Sequence, residues 1–237
     1  ILNNADNINH QGCKKLLNAG YRFAFRIHET LNRGSFIERN RQGNLTVING
    51  HFEPTRKDYK ELNITFLDVS GEDCSVLEIN HGEGQLPAHI NIFLQLYNLP
   101  LLVILVVPYD PTVEGKSEGY TDRLMAQFLG AVDNRNRQQG LKKTRVILLI
   151  TQWDKYTGRY KNDVNAFARE KLPATTALLN LERDLISEYS IGQVIQDNPP
   201  WIQSFNEEYP KRLWNRIYET FAGNGLDKKS WWQKLFE

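Results

Sequence analysis

Three apolar blocks set the reading of this chain: Ile64-Thr65-Phe66-Leu67, Leu101 to Val107, and Val146 to Ile150. Each is short, rich in branched residues and bounded by polar or Gly/Pro-bearing segments, the pattern of a strand buried on both faces. Two of them run out into an aspartate, as Leu67-Asp68-Val69-Ser70-Gly71 and as Ile150-Thr151-Gln152-Trp153-Asp154. Helical spacing fills the intervals. It predicts a helix over 88–96 and another with Thr121 as N-cap, carrying Leu124, Phe128, Leu129 and Val132 on one face. Helices follow over 164–171 and 175–188, separated by Pro173. A short strand over 189–195 and a turn at Asn198-Pro199-Pro200 lead to a last helix with Pro210 near its first turn. That helix buries Leu213, Trp214, Ile217, Tyr218 and Phe221.

Before the first block, 1–31 reads as helix interrupted near Gly20, and 33–50 as loop with a strand over 45–48. Strands alternating with helices predict an α/β fold, a mainly parallel sheet with helices on both faces. The 237 residues fit a single domain: a helical region over 1–32, a core over 33–221 and a tail over 222–237.

Composition narrows the partners. A formal net charge of +1 gives no electrostatic case for nucleic acid. Two cysteines, Cys13 and Cys74, are too few for a disulfide framework, which points to a reducing, cytoplasmic setting. No apolar run reaches the length of a membrane span, and the first residues lack the basic and apolar regions of a signal peptide. Met125 is the sole methionine, so Ile1 is not expected to be a natural start, and sequence upstream is expected.

The chemistry lies after the strands. Asp68-Val69-Ser70-Gly71 is D-x-x-G: an acid at a strand end can hold water on Mg²⁺, and the glycine N–H can approach a terminal phosphate. The same four residues also suit a plain turn. Asp154 closes Thr151-Gln152-Trp153-Asp154, and a carboxylate there can accept two hydrogen bonds from the edge of a guanine. An aspartate so placed can equally cap the next helix. Thr55 lies in the loop before the Asp68 strand, in Phe52-Glu53-Pro54-Thr55, and Ser190 lies in Tyr189-Ser190-Ile191-Gly192.

In this order, Thr55, Asp68–Gly71, Thr151–Asp154 and Ser190 make the chain resemble the P-loop GTPases of the translation-factor and Ras-like class, over roughly Arg33 to Phe221. The resemblance implies a Ras-like G domain with one antiparallel strand near 45–48, binding GTP or GDP with Mg²⁺. Thr55 and Asp68 would serve the metal, and Gly71, Thr151, Gln152, Asp154 and Ser190 the nucleotide. Glu72 takes the place of the family's water-positioning Gln. Its negative charge implies slow or partner-dependent hydrolysis.

Several positions depart from the family. Gln152 replaces the lysine that packs along the base. The phosphate-cradling G-x-x-x-x-G-K-[ST] loop is not matched: Gly12-Cys13-Lys14-Lys15-Leu16 lacks both flanking glycines, and Gly223-Asn224-Gly225 follows a helix, suiting a C-cap. Nucleotide and Mg²⁺ are therefore expected only with a phosphate loop upstream. The alternative is a pseudo-GTPase, the same fold serving as a protein-interaction module. His10, His28, His51, His81 and His89 share no metal-ligand spacing with the cysteines, and no G-x-S-x-G elbow occurs. The basic and aromatic tail, Lys228 to Phe236, suits docking on a protein partner or contact with a membrane surface.

Overall fold

The computed structural model describes residues 26, 27, 29–35, 46–52, 60–69, 73, 74, 77, 86–96, 100–141 and 144–222. It is a mixed α/β structure that contains a three-stranded parallel sheet flanked by helices. The chain divides into two compact units, one comprising 1–39, 46–68 and 192–237, the other 40–45 and 69–191.

The second unit holds the parallel sheet. Strand β3 (Leu102–Pro108) pairs with β4 (Arg145–Thr151), which pairs with β5 (Leu185–Glu188), in the order β3-β4-β5. Leu105 lies opposite Leu148, and Leu148 opposite Ile186. Helix α2 (Tyr120–Gln138) makes the first crossover; α3 (Val164–Lys171) and α4 (Pro173–Leu178) make the second. Central strand β4 is buried from Val146 to Ile150, as its unbroken apolar run requires. Leu105, Val107, Leu148 and Ile150 pack on one face with Met125 and Leu129 of α2 and Phe167 of α3. On the other face Ile147 and Leu149 are buried as well. Helix α1 (Ala88–Leu96) packs Ile90 and Leu94 with Ala131 and Val132 of α2.

Two buried carboxylates pin this unit. Asp122, in the first turn of α2, accepts from the amides of Ala174 (2.9 Å) and Thr175 (2.8 Å). Pro173 occupies the first position of α4 and has no N–H, while its N-cap, Leu172, offers no acceptor side chain. A carboxylate from α2 thus takes the two amides that the local sequence leaves open. Asp184 accepts from Val146 N (3.0 Å) and Asn180 N (2.8 Å), tying the start of β5 to the start of β4.

That tie corrects two boundaries. The helix expected over 175–188 ends at Leu178, and 185–188 form β5 instead. The Asn180–Asp184 turn, closed by Asp184 N donating to Asn180 O (2.7 Å), satisfies the backbone that a longer helix would have paired. The strand expected over 189–195 is correspondingly divided: 189–191 connect β5 to β6 (Gly192–Ile195). Nor is Thr121 the N-cap of α2. Gly119 holds that position with φ 70°, and Thr121 Oγ1 donates to Pro111 O (2.6 Å).

In the first unit β1 (Thr46–Phe52) runs antiparallel to β2 (Leu62–Asp68), from Thr46 opposite Asp68 to Phe52 opposite Leu62. β6 pairs antiparallel with β7 (Trp201–Phe205). Gly192 opens β6 at φ 130°, where a Cβ would lie 2.0 Å from Ser204 O, so only glycine fits there. Helix α5 (Glu208–Ala222) buries Leu213, Trp214, Ile217 and Tyr218 as its spacing predicts, while Phe221 is only half-buried. Trp214 and Tyr218 meet Phe52 of β1 edge-on, at ring-centre distances of 5.0 and 5.5 Å. Of the opening helix, residues 26, 27 and 29–32 are helical; the rest of that expectation and the tail beyond 222 lie outside the described residues.

Candidate functional site

Parallel strands send their carboxyl ends to one edge of a sheet, and the loops beyond that edge are where open α/β proteins bind ligands. Here β4 and β5 end side by side, with Ile150 opposite Glu188. Beyond Ile150 the chain must release Trp153 inward and Asp154 outward within four residues. Gln152 makes this possible by taking a left-handed backbone, φ 56° and ψ 31°. For a residue with a Cβ that conformation is sparsely populated and costs about 1 kcal/mol. A 3₁₀ turn over Trp153–Lys155 follows at once.

Trp153 anchors the turn. It is buried, its amide donates to Tyr189 O (3.2 Å), and its ring lies on Tyr156 at 4.8 Å and edge-on to Phe167 at 5.2 Å. Tyr189 N in turn donates to Ile150 O (2.8 Å), so the connector after β5 is laced to the end of β4 from both sides. Thr151 extends β4 and donates through Oγ1 to Val107 O (3.2 Å), while its own carbonyl accepts from Tyr109 N (3.0 Å). The ends of all three parallel strands are thereby joined.

On this platform Asp154 is exposed, and Ser190, itself buried, donates its hydroxyl to Asp154 Oδ1. One carboxylate oxygen is thus held from the neighbouring strand's loop. Among the described residues Oδ2 receives no hydrogen bond, and Asp154 as a whole is exposed. Lys161 bridges the same turn from the other side: its Nζ donates to the carbonyls of Trp153 (2.7 Å) and Asp154 (3.1 Å). The Trp153 indole N–H returns a bond to Lys161 O at 3.2 Å.

Four of the residues singled out in the sequence, Thr151, Gln152, Asp154 and Ser190, therefore come together at the carboxyl ends of β4 and β5. Asp154 does not serve as a helix cap; Asp163 caps α3, accepting from Ala166 N at 2.9 Å. Asp68 is in the first unit, exposed at the end of β2. Thr55, Gly71 and Glu72 lie outside the described residues, as do Gly12–Leu16 and Gly223–Ser230. Among the described residues no group of three or more His, Cys, Asp or Glu side chains converges as a metal site. Nor is any helix among them long and apolar enough to cross a membrane.

Cys74 is not a nucleophile in this setting. Burial, and secondarily the neighbouring Asp73 carboxylate, push its thiol up to about 11, so at neutral pH it carries its proton.

Sequence reasoning missed Lys161 and the anchoring role of Trp153. Lys161 had no signal, because its reach to 153 and 154 depends on how 156–163 folds back. Trp153, Tyr156 and Phe167 share one cluster, but their linear spacing spans a turn and a loop and follows no single period.

No protein-family model matches the chain, and neither a curated protein nor a solved structure matches it.

Proposed function

We propose that this chain has a Ras-like G-domain fold and serves as a cytoplasmic GTP-binding switch that acts on protein partners. The observation that carries the reading is the carboxylate of the exposed Asp154 at the end of β4, oriented by Ser190 from the loop after β5. Guanine presents two donors on one edge, its ring N–H and its exocyclic amine, and an ionised carboxylate is the side chain that can accept from both. Adenine presents a ring acceptor and a C–H at the equivalent positions and leaves both oxygens without a donor. Ser190 donates to one oxygen, which limits rotation about the last torsion, and a carboxylate oxygen still has a second lone pair to offer the base.

The antiparallel β1–β2 pair with Asp68 at its end, and the parallel order β3-β4-β5, are the strand relations that a G domain would contain. In that reading Asp68 and Thr55 would be the residues to hold Mg²⁺, Gly71 would offer its amide to the terminal phosphate, and Glu72 would orient the attacking water. The metal would supply charge neutralisation at the phosphates. A carboxylate in the Glu72 position adds repulsion there, so hydrolysis is slow until a partner contributes. The phosphates need a backbone cradle of the G-x-x-x-x-G-K-[ST] kind, so the test uses the protein from its whole gene.

Titration of that protein with GTP and with ATP, in the presence of Mg²⁺, tests the reading. Binding of GTP about 100-fold or more tighter than ATP is expected from two matched hydrogen bonds in a site built for them. Equal affinities would overturn the guanine reading, and binding of neither nucleotide would count against a nucleotide site and leave the interaction-module alternative.

A further inference from the structure

We propose that Lys161 is a positioning residue for Asp154, one that sets how sharply the site distinguishes guanine from adenine; the inference rests on the guanine reading above. Asp154 stands on a three-residue 3₁₀ turn in which Trp153 O already accepts from Tyr156 N at 3.1 Å, while no helix continues to supply a donor to the Asp154 carbonyl. The Lys161 ammonium adds a second bond to Trp153 O at 2.7 Å and takes Asp154 O at 3.1 Å. The Trp153 indole closes the ring by donating to Lys161 O at 3.2 Å. The backbone of Asp154 is thus clamped from one side, as its carboxylate is held by Ser190 from the other.

Lys161 is fit for this because its own position is fixed. Its amide donates to Gly158 O (3.1 Å), and two residues later Asp163 caps α3. Arg159 and Tyr160 both bond to the Glu170 carboxylate of α3, which moors the 158–161 turn to that helix. An ammonium held by such a base can hold a neighbouring loop in turn. Its effect belongs to recognition more than to folding, since Lys161 and Asp154 are both exposed and water can replace the lost bonds. Base discrimination depends on two hydrogen bonds formed together, and a loop free to shift by a fraction of an ångström loses their simultaneous geometry.

The test compares Lys161→Met, which keeps the stem and removes every donor, with Lys161→Arg, which keeps two parallel donors for the two carbonyls. GTP and ATP affinities are measured on the protein from its whole gene, with Trp fluorescence and a denaturant midpoint as checks on folding. Lys161→Met is expected to lower the GTP-to-ATP affinity ratio by about tenfold at nearly unchanged midpoint, and Lys161→Arg to restore most of it. Equal weakening of both nucleotides would show a cation that merely attracts phosphates, and would overturn the proposal. So would an unchanged ratio, or a Lys161→Met protein that fails to fold while Lys161→Arg folds with the ratio reduced. A wild-type protein with no guanine preference is a different failure: it removes the guanine reading itself.

Discussion

Replacing Asp122 by alanine is expected to destabilise the second unit by about 2–4 kcal/mol. The carboxylate is buried and accepts from the part-buried amide of Ala174 and the buried amide of Thr175, both within 2.9 Å. Its removal leaves those donors without partners, at roughly 1–3 kcal/mol for each unsatisfied group. The damage does not stop at the cap. Thr175, fully buried, donates Oγ1 to Asp122 O at 3.0 Å, so its hydroxyl depends on the same alignment of α2 with α4. Asp122→Asn keeps one acceptor oxygen but turns an N–H₂ toward the other amide, and should lose about half as much. Urea unfolding followed by circular dichroism checks both: a lower midpoint at unchanged slope is the expected result. An Asp122→Ala midpoint equal to wild type would mean that water reaches the α4 amides in the folded protein.

The second large effect concerns recognition. Asp154→Ala should reduce GTP affinity by about 1,000-fold, close to 4 kcal/mol, while ATP affinity hardly changes. The asymmetry follows from chemistry: the guanine edge loses both acceptors and must bury two donors unpaired, whereas adenine never used them. Stability should fall by about 1 kcal/mol, because Asp154 is exposed but the buried Ser190 hydroxyl loses its acceptor. Equilibrium titration with each nucleotide separates this outcome from a general loss of structure, which would weaken both.

How much of this was legible beforehand follows from where the determining contacts lie in the chain. The parallel strands were readable because Val146–Ile150 is buried on both faces and its sequence is apolar throughout. Helix α5 was readable because its buried side recurs at helical spacing. Strand β5 was not. Leu185-Ile186-Ser187-Glu188 continues a plausible helical pattern, and what makes it a strand is Asp184 reaching Val146 N, a contact 38 residues distant in sequence. The Thr121 cap failed for a similar reason, since its hydroxyl found Pro111 O across the preceding loop. That Ser190 serves beside Asp154 was expected only from the order of the motifs in the resemblance, because the strand that carries Ser190 to the sheet's edge was not read. The clamp from Lys161 could not be anticipated, because it depends on the fold of the intervening turn.

The central claim is that Asp154 reads a guanine edge, and exchanging its chemistry tests that claim most directly. An asparagine there presents one acceptor and one donor, which matches xanthine, where a carbonyl replaces the exocyclic amine of guanine. Asp154→Asn is therefore expected to bind xanthosine triphosphate about 100-fold or more tighter than GTP, the reverse of wild type, with Mg²⁺ present throughout. An Asp154→Asn protein that stays folded and keeps the wild-type preference for GTP would contradict the account.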